Sequence, residues 1–329
     1  MRKGLFILNP EAFKNIYGSP ELEAVNRLVE LVGPPRTADE VRQDPAILQD
    51  VEVIFSGWGG PCIDADFLAH APKLKALFYG AGSVRGIVTD ALWERGIVVT
   101  SSYGANAVPV AEYCTAAILF SLKLGWQHAR AVRERRDYVR FDVPGAFETT
   151  IGLVSLGMVG RKTRDMLRAF DLQVLAYDPF VKPEQARALN VTLVSLDELF
   201  HRSQGVSLHT PHLPETRHLI RGRHLRLMPV NGTFVNSARG AIVNEPEMIE
   251  VLKERSDLTA VLDVTLPEPP VPESPLYQLP NVILTPHIAG SMSGECRRMG
   301  QYAVAECRRW LNGEPLQWQI TRELAARLA

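Results

Sequence analysis

Short apolar runs rich in β-branched residues alternate with helical patterns along nearly the whole chain, and this alternation constrains the fold more than any other feature. Residues 5–8, 51–55, 74–78 and 97–100 read as strands apolar on both faces, as a parallel sheet covered by helices requires. Polar or amphipathic stretches such as 20–31 and 64–69 separate them. A second alternation follows, with strands expected at 151–155, 174–177, 192–194, 206–208, 233–236, 260–264 and 282–284. Strand, helix, strand in repetition predicts a doubly wound α/β architecture. With 329 residues and roughly 150 residues per domain, two domains are expected.

The longest helical pattern runs from about 108 to 138. Its first half is apolar (VAEYCTAAILFSL) and its second half is arginine-rich (HARAVRERRDYVR). Glu134 and Asp137 interrupt the arginines, which favours a solvated face or an oligomer arm over a nucleic-acid surface. The charge balance agrees, since 36 Lys and Arg against 37 Asp and Glu leave a net charge of -1 and no field for nucleic acid or an anionic membrane. The strongest apolar runs, such as 115–122, fall short of the ~20 residues of a spanning helix. The N-terminal MRKGLFILNPEAF reads as a first strand rather than a signal peptide. Cys62, Cys114, Cys296 and Cys307 show no CxxC spacing and no His in zinc register, so reduced thiols, a cytoplasmic location and no metal are expected. A last helix is expected over 293–311, stopped by Asn312-Gly313.

One segment carries a specific signal. TTIGLVSLGMVGRKTRDMLRAFDLQVLAYDP reads as strand, tight turn, helix over 158–170, and a second strand ending at Asp178. This is the context in which backbone N–H groups at a helix N-terminus face a pyrophosphate, the Rossmann arrangement. Gly157 allows close phosphate approach and Gly160 allows the helix to pack on the strand. The first glycine position of the GxGxxG pattern is Ser155, which is expected to make the turn with negative φ and to leave its hydroxyl able to face phosphate. Asp178, 23 residues after Ser155, is placed to bind a ribose 2′-OH and repel a 2′-phosphate. Pro179 and Phe180 follow it rather than a cation, so NAD is expected over NADP.

Three polar residues follow the later strands: Arg239 in FVNSARG, Glu268 in VLDVTLPEPP and His287 in VILTPHIAG. Each alone has an ordinary reading as a surface charge, a loop residue or a turn cap. Together, behind a nucleotide loop, they fit hydride transfer to a 2-keto acid. His287 would act as acid/base, Glu268 would stabilise its protonated form, and Arg239 would clamp the substrate carboxylate and polarise the carbonyl.

The stretches YGAGS, RGIVVTSSYGANAVPVAE, GLVSLGMVG, VLAYDP, VSLHTPHLPETRHLI, FVNSARGAIVNE, LDVTLPEPP and TPHIAGS, in this order from about 72 to 291, resemble the D-isomer-specific 2-hydroxyacid dehydrogenase family. The resemblance implies two Rossmann-like doubly wound parallel-sheet domains with a cleft between them. Residues 104–289 would form the NAD-binding domain, inserted into a substrate-binding domain of 1–103 plus 290–329. The two crossings, near Tyr103 and Gly290, would serve as a hinge for closure. Arg239, Glu268 and His287 match the family's catalytic set. The implied cofactor residues are Ser155, Gly157, Met158, Val159, Gly160 and Asp178, His209, Thr210, Pro211 and Thr216 on the adenine and phosphate side, and Ala238, Arg239, His287 and Gly290 near the nicotinamide. Asp263 matches the residue that binds the nicotinamide carboxamide. Ala81, Gly82 and Ser83 match the loop whose N–H groups hold the substrate carboxylate, with Asn106 nearby. A homodimer through the 108–138 helix and arm is implied as well.

Two departures stand out. Ser155 replaces a glycine, and the substrate loop reads GAGSVRG where relatives more often have GAGVDNI, which puts Arg85 in the loop. Arg85 is expected to recognise an extra anionic or hydroxyl group on the substrate. Tyr138 lies near where relatives often carry a tryptophan that reaches the partner's active site. The chain ends about 40 residues after His287, so no appended regulatory domain is expected. The expected function is NAD(H)-dependent interconversion of a 2-keto acid and a D-2-hydroxy acid. The alternative is a non-enzymatic NAD(H)-sensing regulator of corepressor type, which the absence of long recruitment tails disfavours. Formate or phosphite oxidation is disfavoured by Glu268, because formate enzymes pair the histidine with Gln.

Overall fold

The structure, a computed structural model, describes residues 1–327. The chain divides into two compact units, Met1–Asn106 with Ser291–Ala329 and Ala107–Gly290. In chain order the first unit contributes strands β1 (Arg2–Ile7), β2 (Val29–Leu31), β3 (Val53–Ser56), β4 (Ala76–Tyr79) and β5 (Val98–Ser101). The second contributes β6 (Thr149–Val154), β7 (Leu172–Tyr177), β8 (Thr192–Leu193), β9 (Gly205–Leu208), β10 (Thr233–Asn236), β11 (Thr259–Leu262) and β12 (Val282–Leu284). The last strand, β13 (Gln319–Ile320), returns to the first unit. The sheet orders are β13-β5-β4-β3-β1-β2 and β12-β11-β10-β9-β6-β7-β8. Every pairing is parallel except that of β13 with β5.

Each sheet is apolar on both faces because its residues alternate sides. On β1, Leu5 and Ile7 join one apolar cluster, while Phe6, with Leu8 just beyond the strand, joins the other. In the second unit Val206, Leu208 and Phe234 pack on one face, and Leu153, Val235 and Val261 on the other. This two-sided burial is why the strands read as unbroken apolar runs.

Three sequence expectations are corrected. The 108–138 helix is two helices, α1 (Tyr103–Leu122) and α2 (Gly125–Arg135), and Tyr138 lies beyond both. Leu124 takes a left-handed conformation (φ +47°) that ends the first. Trp126 folds back on it, donating from Nε1 to Ser121 Oγ at 3.1 Å and packing edge-on against Phe120 at 4.5 Å. By length and composition α1 is able to cross a bilayer, which counting only its strongest apolar run overlooks. Its Cys114, Ile118 and Leu122 instead pack under β6 and β10 in the second unit's core. The amphipathic stretch 20–31 falls within a helix over Ser19–Asn26 and the short strand β2, whose placement comes from pairing with β1.

The last helix, α3 (Cys296–Leu311), starts three residues later than expected, after a 3₁₀ turn, and stops at Gly313 (φ +68°). Beyond it lie β13 and a helix over Arg322–Arg327 that no sequence pattern marked. Buried Glu306 secures that return, accepting from Trp318 N at 2.9 Å and Arg309 Nη1 at 2.6 Å. All four cysteines are free; Cys62 is exposed and the other three are buried.

Candidate active site

In the second unit the strand order reverses between β6 and β9, which are hydrogen-bonded neighbours. Ligands of open parallel sheets bind at such a switch point, beyond the carboxyl ends of the strands. The predicted site residues of this unit follow those ends: Ser155 after β6, Asp178 after β7, His209 after β9, Ala238 and Arg239 after β10, Asp263 after β11 and His287 after β12.

The turn after β6 corrects one expectation. Ser155 has φ +76°, not a negative value, so the backbone there keeps the conformation that glycine adopts freely. The serine is held by its side chain, since its buried hydroxyl bonds Thr210 Oγ1 at 2.8 Å across the switch point. Ser155→Gly and Ser155→Ala both remove that bond, and only Gly relieves the backbone. The Gly variant is therefore expected to be more stable than the Ala variant by about 1 kcal/mol in urea unfolding, and equal stabilities would contradict this account.

The rest of the loop fits a dinucleotide. Residues Met158–Leu167 are helical, and Gly157 caps them without a side chain, leaving first-turn N–H groups exposed to a ligand. A Cβ on Gly157 would meet nothing within 4 Å, whereas one on Gly160 would lie 2.2 Å from the Ser155 carbonyl oxygen. The first glycine therefore keeps space open and the second lets the helix approach the turn. Met158 and Val159, between them, are partly exposed. Asp178 is half-buried and accepts from Leu156 N at 2.7 Å and Phe180 N at 2.8 Å, so it braces the turn as well as presenting a carboxylate. Both ring nitrogens of His209 are shielded from solvent and have no hydrogen-bond partner among the described residues. Burial pushes its imidazole down to about 4, so it is neutral near pH 7. Thr216 folds the next loop on itself, donating to Pro211 O at 2.6 Å and accepting from Leu213 N at 2.8 Å.

His287 and Glu268 meet directly. His287 Nδ1 lies 2.5 Å from Glu268 Oε1, and both side chains are roughly half exposed. With Nδ1 donating to the carboxylate, Nε2 is the ring nitrogen left open to another partner. A cavity of about 450 Å³ opens beside them, lined by Asp263, Thr265, Glu268, Tyr277, Thr285 and His287 among others. His287 has φ +54°, an uncommon conformation for a residue with a side chain. Asp263 holds it there. Its backbone carbonyl accepts from His287 N at 3.0 Å, its Oδ1 from Ile288 N at 2.8 Å and Thr285 Oγ1 at 2.6 Å, and its Oδ2 from Ala289 N at 2.9 Å. Expected at the carboxamide of a nicotinamide, Asp263 is only 1% exposed, and in this structure its carboxylate braces the loop from 285 to 289. Gly290 ends that loop, partly exposed.

Arg239 is partly buried and donates from Nη1 to Ala238 O at 2.6 Å. Asn236 frames this turn by accepting from Ala238 N at 3.0 Å and donating to Arg239 O at 3.2 Å.

In the first unit, the loop after β4 brings Ala81, Gly82 and Ser83 beside Ser101. Ser101 Oγ shares its one proton between the carbonyls of Ala81 (2.9 Å) and Gly82 (2.5 Å), and Ser102 N donates to that of Ala81 at 3.0 Å. In planar trans peptides the N–H points opposite the C=O, so the N–H groups of Gly82 and Ser83 turn the other way, as an anion-binding loop requires. Arg85 is exposed on the same loop. Asn106 accepts from Ser291 N at 2.8 Å and places its amide nitrogen near Gly82.

Residues 116–289 match the model of the D-isomer specific 2-hydroxyacid dehydrogenase NAD binding domain. A glyoxylate reductase from Korarchaeum cryptofilum is 33% identical over 267 residues, covering 79% of this chain and 79% of that protein. The chain belongs to the D-isomer specific 2-hydroxyacid dehydrogenase family. It is also 34% identical over 259 residues to a D-3-phosphoglycerate dehydrogenase from Archaeoglobus fulgidus, covering 78% of this chain and 49% of that protein, so it spans about half of that relative's length. The fold matches that of the NAD-complexed D-isomer specific 2-hydroxyacid dehydrogenase from Lactobacillus delbrueckii ssp. bulgaricus with a TM-score of 0.80 at 20% identity, covering 98% of this chain and 100% of that one.

Within this site, three contributors carry little or no mark in the sequence. Asn236 had a local signal, an Asn at a strand end able to close an Asx turn over two residues. Glu245, half-buried, pins the loop that carries Glu268 by accepting from Leu266 N at 3.0 Å, and its desolvation raises its carboxyl above the usual range. Thr285, bound to both Asp263 and Tyr113, had no signal.

Proposed function

We propose that this dehydrogenase interconverts a 2-keto acid and a D-2-hydroxy acid with NAD(H). The observation that carries the reading is the 2.5 Å Glu268–His287 contact beyond the strand ends of a sheet whose first turn fits a dinucleotide. Bound NADH supplies a hydride to the carbonyl carbon. As it arrives, His287 Nε2 gives its proton to the carbonyl oxygen, and Glu268 stabilises the imidazolium that stands ready beforehand. Arg239 offers a planar pair of donors to the substrate carboxylate and draws charge from the carbonyl. The second unit, close to the 104–289 expectation, takes the cofactor role; the first takes the substrate role, its 81–83 loop binding carboxylate through N–H groups. Asp178 favours NAD over NADP by repelling a 2′-phosphate.

Homodimerisation is proposed through the second unit's α1–α2 arm. Phe120 and Val132 on these helices, and Tyr138, Phe141, Val143 and Phe147 in the segment that follows them, are exposed apolar side chains of the kind an interface covers. Four unpaired cysteines fit a reducing, cytoplasmic compartment.

Purified protein assayed with NADH and NADPH against glyoxylate, hydroxypyruvate, pyruvate, phenylpyruvate and phosphorylated keto acids tests the reading. Turnover of at least one with NADH is expected, and binding of NADH without any turnover would replace the enzyme by a sensor. Arg85 is proposed to read a second polar group on the substrate. Arg85→Ala is therefore expected to raise KM about tenfold for keto acids carrying phosphate or hydroxyl and to leave it unchanged for pyruvate. An equal KM across both groups would end that assignment.

A further inference from the structure

The acid/base assignment leaves one contact unexplained. Tyr113, half-buried on α1, places its phenol oxygen 2.8 Å from Thr285 Oγ1. Thr285 in turn donates to Asp263 Oδ1 at 2.6 Å. A threonine hydroxyl has a single proton, and this one is given to the carboxylate, so Tyr113 must be the donor to Thr285. The bonds therefore run in one direction, from phenol to hydroxyl to carboxylate. The carboxylate end holds the loop that carries His287 in its left-handed conformation. One residue along α1, Cys114 Sγ lies 3.0 Å from Ser237 Oγ, two residues before Arg239. The helix thus touches the loops of two catalytic residues, and Tyr113 is the polar group it sends to the His287 loop.

We propose that Tyr113 is a positioning residue for the acid/base histidine, acting through Thr285 and Asp263 on the 285–289 loop. The proposal rests on the reading of His287 as the acid/base group. Phenol donation completes the hydrogen bonding of Thr285 and fixes its rotamer. The fixed hydroxyl keeps Asp263 Oδ1 in register with Ile288 N. Without it, Thr285 is left with an unfilled acceptor and the loop that carries the imidazole is held less firmly. A neutral bond of this kind changes a rate by roughly fivefold.

The test compares Tyr113→Phe, Thr285→Val, Thr285→Ser and His287→Gln in the full-length protein. Steady-state kinetics are measured with NADH and whichever keto acid the panel identifies. The imidazole carbon-bound proton resonance of His287 is also followed by NMR, assigned by its loss in His287→Gln. Tyr113→Phe is expected to lower kcat about fivefold, to leave KM for NADH and Tm close to wild type, and to displace the His287 resonance. Thr285→Val is expected to displace it the same way, and adding Tyr113→Phe to Thr285→Val should have no further effect. Thr285→Ser, which keeps the hydroxyl, should retain more activity than Thr285→Val. A Tyr113→Phe protein whose His287 resonance is unmoved overturns the proposal, whether or not its activity falls with its Tm. If His287→Gln stays active, the acid/base reading fails instead, and the resonance still decides whether Tyr113 positions the loop.

Discussion

Replacing His287 with glutamine is expected to lower kcat for keto-acid reduction by about 10²- to 10⁴-fold while NADH binding, read by nicotinamide fluorescence, changes little. The size follows from what is lost. Hydride transfer to a carbonyl creates an alkoxide that must be protonated, and His287 Nε2 is the proton-bearing atom left when Nδ1 is engaged by Glu268 at 2.5 Å. Glutamine keeps the volume and a donor but has no proton to transfer. The loop itself should survive, because the bonds that hold it come from the backbone and side chain of Asp263 and not from the imidazole. Unchanged Tm with collapsed kcat is the expected pattern. Retained turnover would show that the proton reaches the substrate by another route, and His287 would lose its role.

Asp178→Ala is expected to lower the ratio of kcat/KM with NAD to that with NADP by about tenfold to a hundredfold, the worth of one hydrogen bond to a charged group. Removing the carboxylate takes away the acceptor for a ribose 2′-OH and the repulsion against a 2′-phosphate together. The structure adds a second consequence. The two carboxylate oxygens also brace Leu156 N and Phe180 N, so the variant should bind both cofactors less well in absolute terms. The ratio isolates the selectivity from that common loss. A ratio that stays at the wild-type value would assign Asp178 to the turn alone.

How far each feature was legible depends on its range along the chain. Strands β6, β9, β10 and β12 could be placed within two residues because each is a short apolar run bounded by polar or turn residues. The three residues Arg239, Glu268 and His287 were visible because each follows its own strand by a few positions, so that local order already places them on one edge of the sheet. Strands β2 and β13 were not read from the sequence, and what places them is their pairing with β1 and β5. The break at Leu124 was missed because leucine is a good helix former, and Trp126, packed on Phe120 and bonded to Ser121, folds back there.

Local chemistry in the sequence therefore determined the alternating α/β architecture, the strand–turn–helix that fits a dinucleotide, and the residues proposed as acid/base, its carboxylate partner and the substrate clamp. The tertiary structure decided how those groups are held. Ser155 adopts a conformation its residue type disfavours because Thr210, 55 positions away, bonds its hydroxyl. Asp263 reaches Thr285 across 22 positions, and Tyr113 reaches the same hydroxyl across 172. No periodicity marks such partners, since what brings them together is the order in which the strands lie in the sheet and the seating of α1 against it. Hydrogen bonds are short and directional, so their partners become known only once that order has set the distances.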